Sequence, residues 1–403
     1  MSLFPSEDTT TAPFTAVPDG ERHAIYAELN AKGPVHRVMM PIGQPAWVVT
    51  GHTEARALLS DPRLVKLGWQ RATRVSDLPE HLARGLHMNM LTSDPPSHTR
   101  LRKLVASVFT RRRIEKLAPR IEAMTGGLLD ALDGAEVVDL VTTLAYPLPI
   151  GIICDLLGIP EESRHAFRSW TQPLMSPGTH SVEDYVEAAT AMHAFVCGLI
   201  DIKRDAPQDD LLSDLIAARD GDERLSEDEL TSMVFLLVLA GHETMVNLLG
   251  NSVLALLTHP DQMALLRAEP NRIEGAIEEL LRYDSPVQST LSYHTAEPIE
   301  IGATMIPAGE TVLVALMAAN RDEAHFPHGD RLDITRRGTP HTAFGHGLHY
   351  CLGAPLARLE ARIAIEALFD RFPGLKLDVP AESLTRIPSV IMNGLTALPV
   401  RLR

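Results

Sequence analysis

The chain has 403 residues, 45% of them hydrophobic, a formal net charge of -15 and only 3 cysteines. This balance describes a large acidic globular protein; it excludes a disordered or fibrous chain and offers no basic excess for nucleic acid. An odd cysteine count without a secretory leader points to a reducing compartment, so a cytoplasmic protein is expected.

Met1 to Phe14 is polar and proline-punctuated, with neither the basic start nor the apolar segment of a targeting peptide. The longest unbroken apolar run, Met233 to Gly241, falls short of the roughly 18 residues of a membrane span, and no membrane association is expected. No linker-like stretch divides the sequence, which predicts a single domain over residues 1–403.

His23 to Lys32 has a helical pattern, and Val35 to Met40 with Ala46 to Thr50 predicts a hairpin at the edge of the fold. Thr53 to Ser60 is helical, stopped by Asp61-Pro62. Gly68 to Met90 lacks periodicity and predicts a long loop of the functional or mobile kind. After Asp94-Pro95-Pro96, Ser97 is placed to cap a helix through Phe109. His98 and Arg102 lie four apart on its face, where they can grip an anion; taken alone, a solvated basic face is the plainer reading.

Further helices are predicted over Arg111 to Leu132, Leu140 to Leu157, Glu161 to Trp170 and Val182 to Arg204, with a polar break at Ser176 to His180. Cys154 and Cys197 sit in apolar runs and read as small core residues. Ser226 with Glu229 forms a capping box opening a helix that continues to Leu257, roughly 48 Å long at 1.5 Å per residue. Its centre is apolar all round, the mark of a buried helix. Inside it stands Ala240-Gly241-His242-Glu243-Thr244, costly there unless the polar groups have partners or a task. The small residues leave room for a diatomic ligand, and the acid and hydroxyl offer it a proton path. The plainer reading is a packing glycine, an exposed acid and a threonine bonded back to its own helix.

Asn271 to Tyr283 is helical, with Glu279 and Arg282 on one face. Short strands follow at Ser289 to His294, Pro298 to Ile301, Thr304 to Ile306 and Thr311 to Leu316, then a short helix starting at Ala319. The tail predicts a hairpin turning at Asn393-Gly394. Between them lies Phe344-Gly345-His346-Gly347-Leu348-His349-Tyr350-Cys351-Leu352-Gly353, before a helix from Ala354. Its glycines let the backbone turn sharply and approach a flat ligand. A cysteine just ahead of a helix start faces N–H groups and the positive end of the dipole, which favours the thiolate. Thiolates ligate soft iron, and haem iron with an axial thiolate is the arrangement that favours O–O cleavage.

The spacing Phe-x-x-Gly-x-x-x-Cys-x-Gly resembles the haem-binding signature of the cytochrome P-450 family. Asp-Pro-Pro-x-His-Thr-x-Leu-Arg, Ala-Gly-x-Glu-Thr and Glu-x-x-Arg resemble further motifs of that family, in the family's order and over nearly the whole chain. The resemblance implies a mainly α fold with a small β region and haem b between a long central helix and the cysteine loop. It implies Cys351 as the sole metal ligand and axial thiolate, and Phe344, Gly345 and Gly353 as shapers of its loop. His98 and Arg102 would bind a haem propionate. Related sequences carry an arginine about four residues before the match to Glu297; Tyr293 stands there with His294 beside it, and His349 fits a propionate role better.

By the same resemblance Ala240, Gly241, Glu243 and Thr244 serve oxygen activation, while Glu279, Arg282 and Arg331 form a structural triad fixing the cysteine loop. Substrate walls would come from Leu86, Met88, Asn89 and Met90, and from Leu236, Leu237 and Ala240. Val287, Gln288, Leu291, Ile391 and Met392 would complete them, with a lid around Ser176 to His180. The implied activity is hydroxylation or epoxidation of a mid-sized apolar molecule, steroid-like or macrolide-like, using O₂. No dinucleotide-binding fingerprint is present, so electrons would come from an acidic ferredoxin with a separate reductase, to a monomer. A haem-thiolate sensor or carrier has no need of Glu243 and Thr244; a peroxide-driven enzyme of the family tends to lose that pair.

Overall fold

The computed structural model describes residues 14, 18, 20–41, 43–66, 78–175, 181–219, 224–338 and 340–403. The polar N-terminus up to residue 13, residues 68–77 of the expected loop and the expected lid joint at Ser176 to His180 lie outside the described residues. In chain order the elements begin with α1 (Glu21–Lys32), β1 (Val35–Met39), β2 (Pro45–Val49), α2 (His52–Leu58) and β3 (Leu64–Val65). Then come α3 (Glu80–His87), α4 (Ser97–Val108), α5 (Arg111–Glu115), α6 (Ala118–Asp130), β4 (Val137–Asp139) and a π-helical turn (Val141–Ala145). α7 (Pro147–Leu157), α8 (Arg164–Met175), α9 (Val182–Asp205), α10 (Leu211–Arg219) and α11 (Glu227–Thr258) follow. The rest is α12 (Pro260–Ala268), α13 (Ile273–Tyr283), β5 (Tyr293–Thr295), β6 (Ile299–Ile301), β7 (Thr304–Ile306), β8 (Thr311–Val314) and α14 (Leu316–Ala319). α15 (Ala354–Arg371), β9 (Lys376–Leu377) and β10 (Pro399–Arg401) end the chain.

Two compact units result: Met1–Val65 with Thr258–Cys351 and Val379–Thr396, and Lys66–Leu257 with Leu352–Asp378 and Ala397–Arg403. The first is built on a sheet of order β1-β2-β8-β5-β3. The expected hairpin is there, β1 antiparallel to β2, and β2 runs parallel to β8 with Val48 opposite Leu313. Side chains alternate across a strand. Ala46, Val48 and Leu313 join one apolar cluster with Tyr26 and Leu29, while Val49, Val312, Val314 and Tyr293 join a second with Ala55 and Leu58. Both faces are therefore covered, which is why these strands read as near-continuous apolar runs.

α11 dominates the second unit. Ser226 N–H donates to Glu229 Oε2 at 2.8 Å and Glu229 N–H to Ser226 Oγ at 3.3 Å, the reciprocal cap expected from sequence. α15 packs along α6, and β4, β10 and β9 form a small sheet. By length and composition α9 and α11 could each cross a membrane, a property that a search for unbroken apolar runs misses because polar residues interrupt them. In α11, 67% of the most apolar stretch is buried, as in the core helix of a globular protein.

Several expectations are corrected. The stretch expected to be loop contains α3, eight residues whose Leu82, Ala83 and Leu86 are buried; so short a helix leaves little periodicity. Ser97 lies inside α4 rather than capping it, because Pro96 is already helical at the cap position. Arg111 to Leu132 breaks into α5 and α6 ahead of Pro119, which suits a first helical turn. α14 ends at Ala319 instead of starting there. Asn393-Gly394 does not form the tail's turn: Asn393 is buried, its amide donating to Asp284 Oδ1 at 2.7 Å, and the pairing is an isolated bridge of Arg386 with Leu395.

Candidate active site

In the first unit, the glycine loop closes on itself. Gly345 N–H donates to Thr342 O at 2.8 Å, Tyr350 N–H to Gly347 O at 3.1 Å, and Cys351 N–H to Phe344 O at 2.9 Å. Gly347 has φ +67, and a Cβ there would stand 2.5 Å from the Leu59 carbonyl oxygen, so only glycine fits. Gly353, by contrast, has φ -78, ordinary helical backbone that does not require glycine. The loop leaves Cys351 exposed. Cys154 is buried, its thiol pushed up to about 12 by desolvation, and Cys197 is half-buried with its pKa likewise raised by burial, so Cys197 is less of a core residue than expected. Of the three cysteines, Cys351 alone is exposed.

Tyr293, buried on β5, meets His349 edge to face with ring centroids 6.0 Å apart, while His294 next to it is half-buried. Phe344 lies against His341 and Tyr350, at 5.9 and 6.4 Å between centroids. Arg282 grips Glu279 with two bonds, Nε to Oε2 at 2.7 Å and Nη2 to Oε1 at 2.8 Å. The third member of the expected triad is wrong: Arg331 is exposed and offers Arg282 only its backbone carbonyl, at 2.9 Å. Arg336 takes that place, its Nε 3.3 Å from Glu279, because a turn from Asp333 to Arg336 swings it inward.

In the second unit, α11 is buried over most of its length, apart from its two ends and an open face near its centre. Leu237, Gly241 and Thr244 are half-buried and Ala240 is exposed, all at spacings of three or four residues. Thr244 Oγ1 donates to Ala240 O at 2.7 Å, which commits its hydrogen and leaves the oxygen as an acceptor. Glu243 is half-buried beside it. A Cβ on Gly241 would lie 3.0 Å from Ile153 Cδ1, so the glycine also lets α7 approach closely. His98 is buried on α4, and burial and then the Arg102 charge lower its pKa, which keeps it neutral near pH 7.

The expected substrate residues divide. Leu86, Met90, Leu236 and Met392 are buried, whereas Met88, Leu237, Val287, Leu291 and Ile391 are half-buried. His87 carries no charge, since burial holds its imidazole down to about 4. Two expected polar points are already spent. Asn89 donates to Leu86 O and Ser232 Oγ, each at 3.0 Å, tying its loop to α11. Gln288 is fully buried, donating to the Ser389 carbonyl and accepting from Tyr26 OH at 3.3 Å. Both are structural, because an amide that has found protein partners leaves nothing for a ligand.

As a donor set, these groups suit the iron macrocycle implied by sequence. Cys351 is a soft donor on an exposed residue, the loop and α11 centre bear small residues, and His98, Arg102 and His349 are of the type that hold carboxylates.

The cytochrome P450 family profile matches residues 167–379. Cytochrome P450 monooxygenase PikC of Streptomyces venezuelae is 49% identical over 94% of this chain and 91% of its own length. 6-Deoxyerythronolide B hydroxylase of Saccharopolyspora erythraea is 44% identical over 96% of this chain and 99% of its own. Among solved structures, the tirandamycin C-bound P450 monooxygenase TamI superimposes with a TM-score of 0.89 at 46% identity, covering 95% of this chain and 98% of that one.

Proposed function

The chain belongs to the cytochrome P450 family, monooxygenases whose haem b has an axial cysteine thiolate, and on that premise we propose that Cys351 supplies the thiolate. The observation that carries this reading is an exposed cysteine on a loop closed by its own backbone and compatible only with glycine at 347. Bound there, the haem supplies oxygen activation, placing one atom of O₂ in the substrate and the other in water. His98 and Arg102 of the second unit and His349 of the first would hold the propionates, with Tyr293 packed against the His349 ring and His294 next to it in the chain. Phe344 and Gly345 shape the loop.

Thr244 and Glu243 move the proton. With its own hydrogen on Ala240 O, Thr244 Oγ1 accepts from a water, and Glu243 replenishes that water's proton. A small acidic ferredoxin is the electron donor, drawn to basic side chains of the second unit. Arg111 and Arg113 are already paired with Glu115 and Asp214, so exposed Arg112 carries the attraction. Driven by such a ferredoxin, Thr244→Ala should divert several-fold more NADPH into peroxide, and reduction of an Arg112→Glu variant should slow and lose its salt dependence. Unchanged coupling, or wild-type reduction that ignores ionic strength, sinks the respective role.

The substrate is a mid-sized apolar molecule of the secondary-metabolite kind. Support comes from the uncharged open residues Leu237, Ala240, Val287, Leu291 and Ile391, and from relatives named for 6-deoxyerythronolide B hydroxylation and tirandamycin C binding. A screen by the shift of the haem Soret band should find steroids and macrolide-like polyketides binding and small charged compounds not; binding by the charged set alone contradicts the assignment.

A further inference from the structure

His52 opens α2, its backbone N–H donating to Asp322 Oδ2 at 2.9 Å. Its side chain turns toward the segment that leads into the cysteine loop, with Nε2 3.1 Å from the Pro340 carbonyl oxygen. A carbonyl only accepts, so Nε2 must carry the hydrogen, and in the neutral ring Nδ1 is bare. That Nδ1 is buried without a hydrogen-bond partner. His325 stacks flat on the ring, centroids 3.5 Å apart at 17°, and Phe326 meets its edge at 5.2 Å. Nε2 of His325 is also buried without a partner. Two residues on, Thr342 donates its N–H and Oγ1 to Asn320 Oδ1, at 2.6 and 2.9 Å. Pro340 to Thr342 therefore hangs from three posts, His52, Asn320 and Glu278, whose Oε2 lies 3.2 Å from His341 Nε2, just before the loop that ends at Cys351.

We propose that His52 is a positioning residue for Cys351: a neutral imidazole latch on the segment feeding the cysteine loop, which opens when the ring takes a proton. The inference rests on reading Cys351 as the axial thiolate. A proton on Nδ1 would create a buried cation facing the stacked His325 ring, with no acceptor for the new hydrogen. The bond to the Pro340 carbonyl and the Asp322 carboxylate favour that proton, while His325 and Arg56 oppose it. Arg282 stands over Phe326 at 5.3 Å, and the Glu54 carboxylate folds back over Gly51 at the start of α2. Burial outweighs the charges and holds His52 down to about 4, from 6.5 when solvated. The latched form is thus fully favoured above pH 6.5 and loses up to about tenfold of its advantage per pH unit as pH falls toward about 4.

Glutamine at 52 keeps an N–H for Pro340 O but cannot titrate; alanine keeps neither. The reduced, CO-bound haem protein titrated from about pH 8 to about pH 4 reads the loop directly, as loss of the thiolate band. Wild type should lose it with a midpoint inside that window, and His52→Gln should move the midpoint down by at least about half a pH unit. His52→Ala should show a mixed spectrum already at neutral pH. A His52→Gln midpoint equal to wild type, a His52→Gln protein that takes up no haem, or a His52→Ala protein indistinguishable from wild type overturns the latch. A wild-type protein lacking the thiolate band at every pH refutes Cys351 itself, and the two failures are told apart in this way.

Discussion

Arg282→Met is expected to cost about 3–5 kcal/mol, the range for removing one partner of a buried ion pair. Both partners are almost fully buried, at 2% and 3% side-chain exposure. Beyond its two bonds to Glu279, Arg282 Nη1 donates to Asn320 O and Gly329 O, each at 2.8 Å, and Nη2 to Arg331 O at 2.9 Å. The substitution strands a carboxylate and three carbonyls at once. Asp333 N–H, 2.9 Å from Glu279 Oε1, and the 3.3 Å contact of Arg336 offset only part of that loss. Lysine should not rescue, since a point charge cannot make the fork. Against a typical total of about 5–15 kcal/mol, the loss removes between about a fifth and all of the stability. Exposed pairs such as Arg111–Glu115 set the contrast, being worth about 0–1 kcal/mol. Urea unfolding followed by circular dichroism is the check, and an Arg282→Met protein within 1 kcal/mol of wild type by that measure, roughly one exposed pair, rules the clamp out.

The second large effect is at Cys351, where serine should abolish substrate oxidation while leaving the fold intact. The side chain is exposed at the end of its loop, and the backbone bonds that close the loop do not involve the sulfur. Stability should therefore change little, whereas a hydroxyl is a poor match for soft iron and cannot provide the electron push of a thiolate. Turnover with ferredoxin, reductase and a screened ligand should fall below detection. Serine at buried Cys154 or half-buried Cys197 should leave turnover in place. Residual oxidation by Cys351→Ser would mean that another residue holds the iron.

Much of the frame could be read from sequence because its signals are local. The cap of α11 needs only Ser226 and Glu229, the hairpin β1–β2 only two apolar runs and a turn, and the cysteine loop only its glycines. What escaped depends on partners far along the chain. Arg331 and Arg336 sit in one loop, and spacing cannot say which reaches Glu279; the turn at Asp333 decides it. Asn89 and Gln288 look like pocket points until Ser232 and Tyr26 are found occupying their amides. His52 gives no local sign of its link to Pro340 and His325, which stand more than 250 residues away in the chain. α3 was lost for a different reason, being two turns of helix next to an aperiodic stretch.

The central claim is that Cys351 gives this protein a haem thiolate, and the difference spectrum of the dithionite-reduced protein with and without CO tests it most directly. At neutral pH, fresh wild-type protein should show the red-shifted band of a thiolate-ligated haem–CO complex, and Cys351→Ser should show only the band of a haem with a neutral ligand. A wild-type spectrum without the thiolate band, or a thiolate band that survives in Cys351→Ser, would contradict it.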